Sequence, residues 1–555
     1  MHKRFAGLLA ISLLFIGAAQ AQPVIESPAV SAASYRSPGM PGSGVAQGSI
    51  FFTYGTGLGP NSLLQAYTFP LPTKLGGTSV TVTVGGTQVS AIMLYTVSSA
   101  IAAILPSTTP VGKGSFTITY NGQTSASADI QVVSSAFGIF TVNSQGAGQA
   151  SATDIDYLSN SIIHTFHPGD YVTLWGTGLG AINGSDAGVP PFGNIGTVTV
   201  YVGNTTASNV TYYGRSGYAG LDQVDFQIPA GLTGCYVPVA VQAGPTLGNI
   251  GNFPTIAISA SGQTCSDSVM GQDLVNQLAA GQTVDFGYIR LESWIAKYVP
   301  GSEANATEDF GFATFSEYTP GAAGLAQYGV SSGYCAAVDC STLCGGANQA
   351  GFSLSDSSPA QLDAGAVTVE YAPAVPLSQS QGQPGFYSAL LSGENGRYLY
   401  SALTYPLAGT GGAAVGAFSV NDFTSIPTAT LTGLQNTPTV PVSGDLTLQW
   451  TGGDPTLGNG QLTISAQSYS QTGSNTYQYE VLQCTAPVAA QKFTIPAWVL
   501  SALPPSGTFS NVYGSYPGGW IQIGQYNKPT SFTATGLTSG IVTDIFYNGV
   551  GVNFQ

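Results

Sequence analysis

The sequence predicts an all-β fold: tandem β-sandwich domains with a small mixed segment in the middle. The first observation is a strand-and-turn stretch that occurs twice, as YGTGLGP at residues 54–60 and as WGTGLGA at residues 175–181. The second is that apolar residues alternate with Thr and Ser over many short segments, which is typical of half-buried strands. The third is composition, because 74 Gly and 33 Pro punctuate a chain of which only 7% is charged. Such a chain folds rather than remaining disordered.

The first 21 residues read as a secretory signal peptide. A basic start at residues 2–4 precedes an apolar run over residues 5–19, and Ala19-Gln20-Ala21 has the small-x-small pattern of a cleavage site. No later run reaches the roughly 20 apolar residues of a membrane helix. We therefore expect an exported protein, secreted, extracellular or at the cell surface, without membrane insertion. Residues 22–47 form a lead-in that is either flexible or a first edge strand.

Charge excludes two classes of partner. The formal net charge is -15, and only 11 Lys and Arg are present. A basic patch cannot be assembled from so few cations, so nucleic acid and anionic membrane surfaces are not expected to bind.

Residues 48–142 and 143–263 are predicted to be two copies of one sandwich. In the first, residues 80–84 alternate and turn through Gly85-Gly86, a pair suited to a tight hairpin. In the second, residues 198–202 turn at Gly203-Asn204 in the same way. Because the landmarks recur in the same order at nearly constant offsets, we interpret them as a tandem repeat.

These residues resemble a known family. The YGTGLGP turn, the run LPTKLGGTSVTV at residues 71–82 and the run GLDQVDFQIPAG at residues 220–231 are similar to the Solibacter-type repeat domain of secreted acidobacterial proteins. The resemblance covers about residues 48–260. It implies immunoglobulin-like sandwiches akin to IPT/TIG domains, and it implies no catalytic residues.

The second half is predicted in three parts. Residues 264–358 form the mixed segment, with a helix over residues 267–280 and a strand over residues 286–291. Residues 359–430 are β-rich. Residues 431–555 form a C-terminal β-sandwich, with strands at residues 446–450, 461–465, 493–496 and 520–523 and a helical turn at residues 497–503.

The six cysteines predict disulfides, because an even number in an exported chain favours them over zinc. They are Cys235, Cys265, Cys335, Cys340, Cys344 and Cys484. A bond between Cys235 and Cys265 would tie the last part of the second sandwich back to its body, and the family resemblance favours the same pair. The other four allow three connectivities, which the sequence leaves open.

No catalytic, cofactor-binding or metal-binding residue is predicted. The stretch GVSSG at residues 329–333 matches a nucleophile elbow, but the histidines His164 and His167 lie upstream of it. That pair, with Asp170, leads into Pro-Gly rather than a helix, so we expect solvated loop histidines and no metal site. The glycine loop at residues 55–59 lacks the lysine of a phosphate site.

Two further groups keep alternatives open. A cluster of acids could serve a glycoside hydrolase or bind calcium, although solvated loop acids are favoured; its members are Asp285, Glu292, Glu303, Glu308, Asp309 and Glu317. Tyr513, Tyr516 and Trp520 are candidates for stacking on a sugar.

The sequence thus predicts a secreted, non-enzymatic, multi-domain β protein with a structural or adhesive role. Extracellular polysaccharide or a cell-surface protein is the expected kind of partner. A carbohydrate-binding module is the alternative, and a glycoside hydrolase is a more distant one.

Overall fold

The computed structural model describes residues 22–265, 271–297, 305–320, 330–343, 360–371, 373–379, 384–392, 398–400, 403–423, 429–434, 438–473, 477–511 and 514–555. The predicted all-β class is confirmed, since strands dominate and the α-helices of these ranges are short. They are Gln272–Ala279, Cys340–Leu343 and Ala497–Leu500. The predicted signal peptide lies outside the described residues.

The first sandwich is made of two six-stranded sheets. Its lead-in is an edge strand rather than a flexible arm, because three short strands from residues 22–47 pair with the body. The first sheet contains Val24–Ile25, Val30–Ser31, Ile50–Thr56, Leu64–Gln65, Ile92–Val97 and Ala100–Ile104. The second contains Val45–Ala46, Thr78–Val84, Thr87–Ser90, Gly112–Tyr120, Gln123–Thr124 and Ala128–Val133.

The predicted hairpin of this sandwich is confirmed. Strand Thr78–Val84 pairs with Thr87–Ser90 through Gly85 and Gly86, whose φ angles of 56° and 84° lie in the region that favours glycine. Val80, Val82 and Val84 all face the core. Each such buried side chain contributes about 1.5–3 kcal/mol relative to an exposed one, so alternation alone fixes the face of this strand.

The second sandwich repeats the plan with five and four strands. The predicted hairpin Val198–Val202 to Thr205–Thr206 is present, and both sheets face one apolar core. The first sheet contains Gly138–Ile139, Ala152–Asp154, Tyr171–Thr177, Val210–Arg215 and Asp222–Gln227. The second contains Val198–Val202, Thr205–Thr206, Gly234–Ala243 and Thr255–Ile258.

A sheet of 15 strands organises the second half. Its strands come from all three ranges into which the sequence divides this half, whose boundaries stay predictions. Along the main path they are Cys335–Asp339, Tyr477–Pro487, Gln461–Gln471, Gly519–Tyr526, Ser539–Phe554, Val284–Lys297, Asn305–Tyr318, Phe386–Leu390, Val375–Gln379, Val367–Val369, Thr404–Gly409 and Phe418–Phe423. Ala360–Gln361, Thr439–Val440 and Thr530–Phe532 pair beside this path.

Two smaller sheets complete this half. Thr430–Thr432, Leu446–Thr451 and Lys492–Ile495 form one of them, and the hairpin of Thr508–Asn511 with Gly514–Pro517 forms the other. Two 3₁₀ turns, Gly458–Gly460 and Val488–Ala490, lie between strands.

The mixed segment differs from expectation. Its helix spans Gln272–Ala279 and ends before Gly281, the predicted stop, while residues 267–270 of the predicted helix lie outside the described part. The predicted strand at residues 286–291 is the middle of the 14-residue strand Val284–Lys297. That strand pairs in parallel with Ser539–Phe554 near the end of the chain. The segment is therefore part of the sheet core rather than a connector.

Disulfide bonds are present in both halves of the chain. The predicted pair Cys235–Cys265 is present, and Cys335 bonds Cys484 across neighbouring strands. Cys340 is disulfide-bonded as well, whereas Cys344 lies outside the described residues.

Candidate functional site

The acids of the hydrolase hypothesis are spread along one long hairpin. Asp285 and Glu317 stand directly opposite each other at one end of it. Burial, together with the negative charge of Glu317, raises the pKa of Asp285. Glu292 and Asp309 lie seven or eight positions further along the same strands, roughly 25 Å away at 3.3 Å per residue. Glu292 and Glu308 are diagonal neighbours across the same hairpin, and Glu303 lies outside the described residues.

Glu292 and Asp309 have structural partners instead. Glu292 is buried, its Oε1 lies 2.7 Å from Arg290 Nε, and its Oε2 accepts a hydrogen bond of 3.3 Å from the Trp294 indole. Asp309 is fully buried and accepts hydrogen bonds from the backbone N–H groups of Tyr398 and Leu399. These two carboxylates hold strands and a loop in place, so they are not the solvated loop acids that the sequence predicts.

A pair of buried acids, formed by Asp422 and Asp544, was not identified from the sequence. The carboxyl groups of Asp422 and Asp544 are neighbours inside the large sheet, and the Oδ2 atom of each is buried without another hydrogen-bond partner. Burial raises the pKa of Asp422 to about 6, and burial together with the neighbouring carboxylate raises that of Asp544 to about 9. The pair therefore shares at least one proton at neutral pH.

The aromatic residues proposed for sugar stacking are only partly described. Trp520 lies half-buried in strand Gly519–Tyr526, and its indole donates a hydrogen bond of 3.0 Å to Gln522 Oε1. Tyr516 belongs to the hairpin strand Gly514–Pro517, and Tyr513 lies outside the described residues. Their role in stacking stays a prediction.

His164 and His167 lie in the second sandwich, and each contacts a carboxylate. His164 Nε2 lies 3.0 Å from Asp154 and His167 Nδ1 lies 3.1 Å from Asp170, so each imidazole has its own carboxylate. Although burial acts to raise the pKa of Asp154, hydrogen bonds from His164 and from backbone amides lower it overall. Within the part of the chain that the structure describes, no group of three or more His, Cys, Asp or Glu is placed to hold a metal ion.

The repeated glycine turn makes hydrogen bonds to other parts of its own chain. In the second copy, Asp222 accepts hydrogen bonds of 2.8 and 2.9 Å from the backbone N–H groups of Gly178 and Leu179. The same carboxylate pairs with Arg215, and both side chains are buried. In the first copy, Leu58 N–H donates to the Ser98 carbonyl instead. In both copies, the backbone N–H groups of the turn therefore donate hydrogen bonds to residues of the same domain.

The residues of the GVSSG stretch that the structure describes, 330–333, make hydrogen bonds to neighbouring strands, and Gly329 lies outside the described residues. Ser331 Oγ accepts a hydrogen bond of 2.9 Å from Tyr236 N–H, and Ser332 Oγ donates one of 2.6 Å to Gln461. Both hydroxyls are thereby committed to structure. A crevice nearby, lined partly by Tyr236 and Cys235, has room for about one water molecule.

The junction of the two sandwiches is closed by buried polar groups. Arg215 Nη2 of the second sandwich donates to the Gly48 carbonyl of the first at 2.9 Å. Ser107 of the first binds the Asp186 carboxylate twice, through its N–H at 2.7 Å and its hydroxyl at 2.8 Å. Ile50 N–H donates to Thr177 Oγ1 at 2.9 Å. A buried carboxylate with several such partners is costly to separate from them.

The second sandwich meets the C-terminal half through aromatic rings. Trp498 stacks on Tyr201 with ring centroids 4.6 Å apart and an interplanar angle of 5°, and it also contacts Phe253. Ala240, Ile250 and Phe253 of the second sandwich belong to the main core of the C-terminal half. This junction is a continuous hydrophobic core.

The lead-in also reaches the C-terminal half. Buried Arg36 lies 3.2 Å from the buried carboxylate of Glu480 and donates to the Ala502 carbonyl at 3.0 Å. Ser37 N–H donates to Asp339 at 2.6 Å. Even with Arg36 beside it, burial raises the pKa of Glu480 to about 8.

Comparison with known proteins gives a likeness of fold alone. No protein-family model and no curated protein sequence matches the chain. One similar solved structure, a Bacteroides thetaiotaomicron protein of unknown function, is 9% identical; the match covers 78% of this chain and 82% of that one, with a TM-score of 0.15. Domains 5–6 of the S-layer protein SbsC are 16% identical over 43% of this chain and 98% of theirs, with a TM-score of 0.16.

The eight N-terminal immunoglobulin domains of Down Syndrome Cell Adhesion Molecule are 11% identical. That match covers 96% of this chain and 60% of that one, with a TM-score of 0.11. Among the described residues no helix is long and apolar enough to cross a membrane. The chain is an all-β protein with tandem β-sandwiches.

Proposed function

We propose that the protein is an exported, non-catalytic scaffold of the Solibacter-type class, which holds surface loops at fixed spacing in a structural or adhesive role. The observation that carries the proposal is that consecutive units meet through buried side chains rather than through linkers. Asp186 and Arg215 close one junction and Trp498 closes the next. Domains joined by small polar contacts move relative to one another, whereas buried and apolar interfaces hold them.

Disulfides support the exported location. Cys235–Cys265 and Cys335–Cys484 are stable in oxidising compartments and rare in the cytosol. The low content of charged residues, with hydroxyls and amides in their place, suits a surface that meets other polymers outside the cell.

Small-angle X-ray scattering tests the scaffold. We expect one rigid conformation to fit the wild-type curve at both low and high salt, because the junction contacts are buried and weakly screened. Asp186→Ala removes both hydrogen bonds to Ser107 and should increase the radius of gyration. The control is Asp129→Asn, which changes an exposed carboxylate of the first sandwich. If the wild-type data require hinged ensembles, the scaffold proposal is wrong.

An activity screen tests the non-catalytic part. The acids Asp285 and Glu317 lie directly opposite each other and are the pair that the hydrolase hypothesis would use. Reducing-sugar release from polysaccharides should stay at background. Release that disappears in Asp285→Asn and Glu317→Gln would replace our proposal with a glycoside hydrolase.

A further inference from the structure

Several large apolar side chains are exposed to solvent on the loops where the two sandwiches meet, and four of them lie close in sequence to residues of one apolar cluster. Tyr67 is 80% exposed, Tyr218 71%, Val189 68% and Phe69 42%. Scattered apolar residues are ordinary on a protein surface, but a group around one site marks an interaction surface. We call these four residues the junction patch, and we infer that it binds uncharged polysaccharide.

The three loops that carry the patch converge on one apolar cluster. Leu71 and Ala219 are buried together, and Ala66 and Ala187 pack against them. Leu71 N–H of the first sandwich donates to the Ala187 carbonyl of the second at 2.7 Å. Each patch side chain is only one or two positions along the chain from one of these anchors. The patch is therefore a joint product of both sandwiches.

Buried hydrogen bonds and an ion pair fix the conformation of the loops that carry the patch. Asp186, next to Ala187, is fixed by Ser107, and Arg215 lies three positions before Tyr218 and is buried in its ion pair. The loops also contain Pro70, Pro72, Pro190 and Pro191, which restrict the backbone. Little conformational entropy is left to lose on binding, which favours affinity from a small contact area.

The chemistry of the loops selects the ligand. Asp, Glu, Lys and Arg are all missing from residues 60–73, 187–193 and 216–221. Asn61, Ser62, Gln65 and Thr68 are exposed beside the rings. Aromatic faces suit the C–H face of a sugar ring, and the amides and hydroxyls suit its hydroxyl groups.

Charge disfavours the other occupants. The chain carries a formal charge of -15, so a second copy or an anionic polymer would approach against electrostatic repulsion. A neutral polysaccharide meets no such barrier. This inference rests on the proposed function only in requiring that the two sandwiches keep their relative orientation.

Affinity electrophoresis tests the inference on the whole chain. Native gels containing dextran, xyloglucan or hydroxyethyl cellulose are compared with a gel containing alginate. We expect retardation in at least one neutral gel and none beyond the blank in alginate. Tyr67→Ala with Tyr218→Ala should weaken binding about tenfold, as the loss of ring contacts implies. The control is Tyr157→Asn, which removes a tyrosine that is 77% exposed elsewhere on the second sandwich.

Three outcomes would overturn the inference. The first is that no neutral gel retards the protein, and the second is that wild type and the double variant are retarded equally. The third is that the wild type self-associates in ultracentrifugation and the double variant does not, because that result would identify a second copy as the occupant. Scattering curves of the same samples keep this result separate from the scaffold proposal, because a rigid chain that binds no glycan loses only this inference.

Discussion

Replacing Asp544 with asparagine should stabilise the C-terminal half at neutral and alkaline pH. Asp544 Oδ1 accepts a hydrogen bond of 3.1 Å from Asn527, and its other oxygen faces the buried carboxyl of Asp422. An asparagine can keep the first contact and donate to Asp422 without a proton from solvent. The variant therefore preserves the shape and the hydrogen bonds of the protonated pair.

The magnitude follows from the pKa. The folded value of about 9 lies above the ordinary value of 3.8, so the folded state binds more protons than the unfolded state between these limits. Stability from this group is complete below pH 4 and is lost as pH rises toward 9, by at most about 1.4 kcal/mol per pH unit. At pH 7 the accumulated loss is about 4 kcal/mol, which Asp544→Asn should largely restore.

Urea unfolding followed by tryptophan fluorescence measures the effect. Four of the five tryptophans lie in the C-terminal half, so the signal reports mainly on the unit that contains Asp544. We expect the wild type to lose stability from pH 6 to pH 9 and the variant to change far less. Asp129→Asn, at an exposed site, should follow the wild type. A variant whose stability falls with pH as steeply as that of the wild type would refute the shared-proton interpretation.

Three further changes test the stapling contacts. Trp498→Ala removes the ring that fills the junction core and should cost about 3–5 kcal/mol, seen as a lower urea midpoint and faster proteolysis between the second sandwich and the C-terminal half. Asp222→Ala leaves Arg215 buried without a counter-charge and should cost about 3–5 kcal/mol, measured by calorimetry, where an unchanged transition of the second sandwich would contradict the role of the pair. Replacing Cys335 and Cys484 by alanine opens a loop of 149 residues and should cost up to about 5 kcal/mol, read as a lower melting temperature of the protein under oxidising conditions.

Local patterns predicted the two sandwiches well. Val80, Val82 and Val84 alternate with polar residues, and the glycines between hairpin strands permit only a few turns, so pairing partners are near in sequence. The strand endings at the repeated glycine turns followed from the same reasoning. Short-range rules suffice wherever a strand pairs with its neighbour along the chain.

The pairing of strands that are far apart along the chain could not be predicted from the sequence. Val284–Lys297 pairs with Ser539–Phe554, about 250 residues away, and neither strand alternates cleanly, because Arg290 and Glu292 lie where apolar residues are expected. The sequence therefore predicts only residues 286–291 of the 14-residue strand Val284–Lys297. The junction patch was missed for a related reason, since nothing in the local sequence of Tyr67 or Tyr218 shows that their loops meet.

The docking of Arg36 against Glu480 imposes an order of events on biosynthesis. The arginine is made early, but its counter-charge is made 444 residues later. Until those residues have been synthesised, the Arg36 guanidinium cannot be buried against them, and the lead-in segment remains undocked. A truncated product could complete its first sandwich yet leave this arm undocked. Protease sensitivity near residue 36 would therefore distinguish full-length chains from prematurely ended ones.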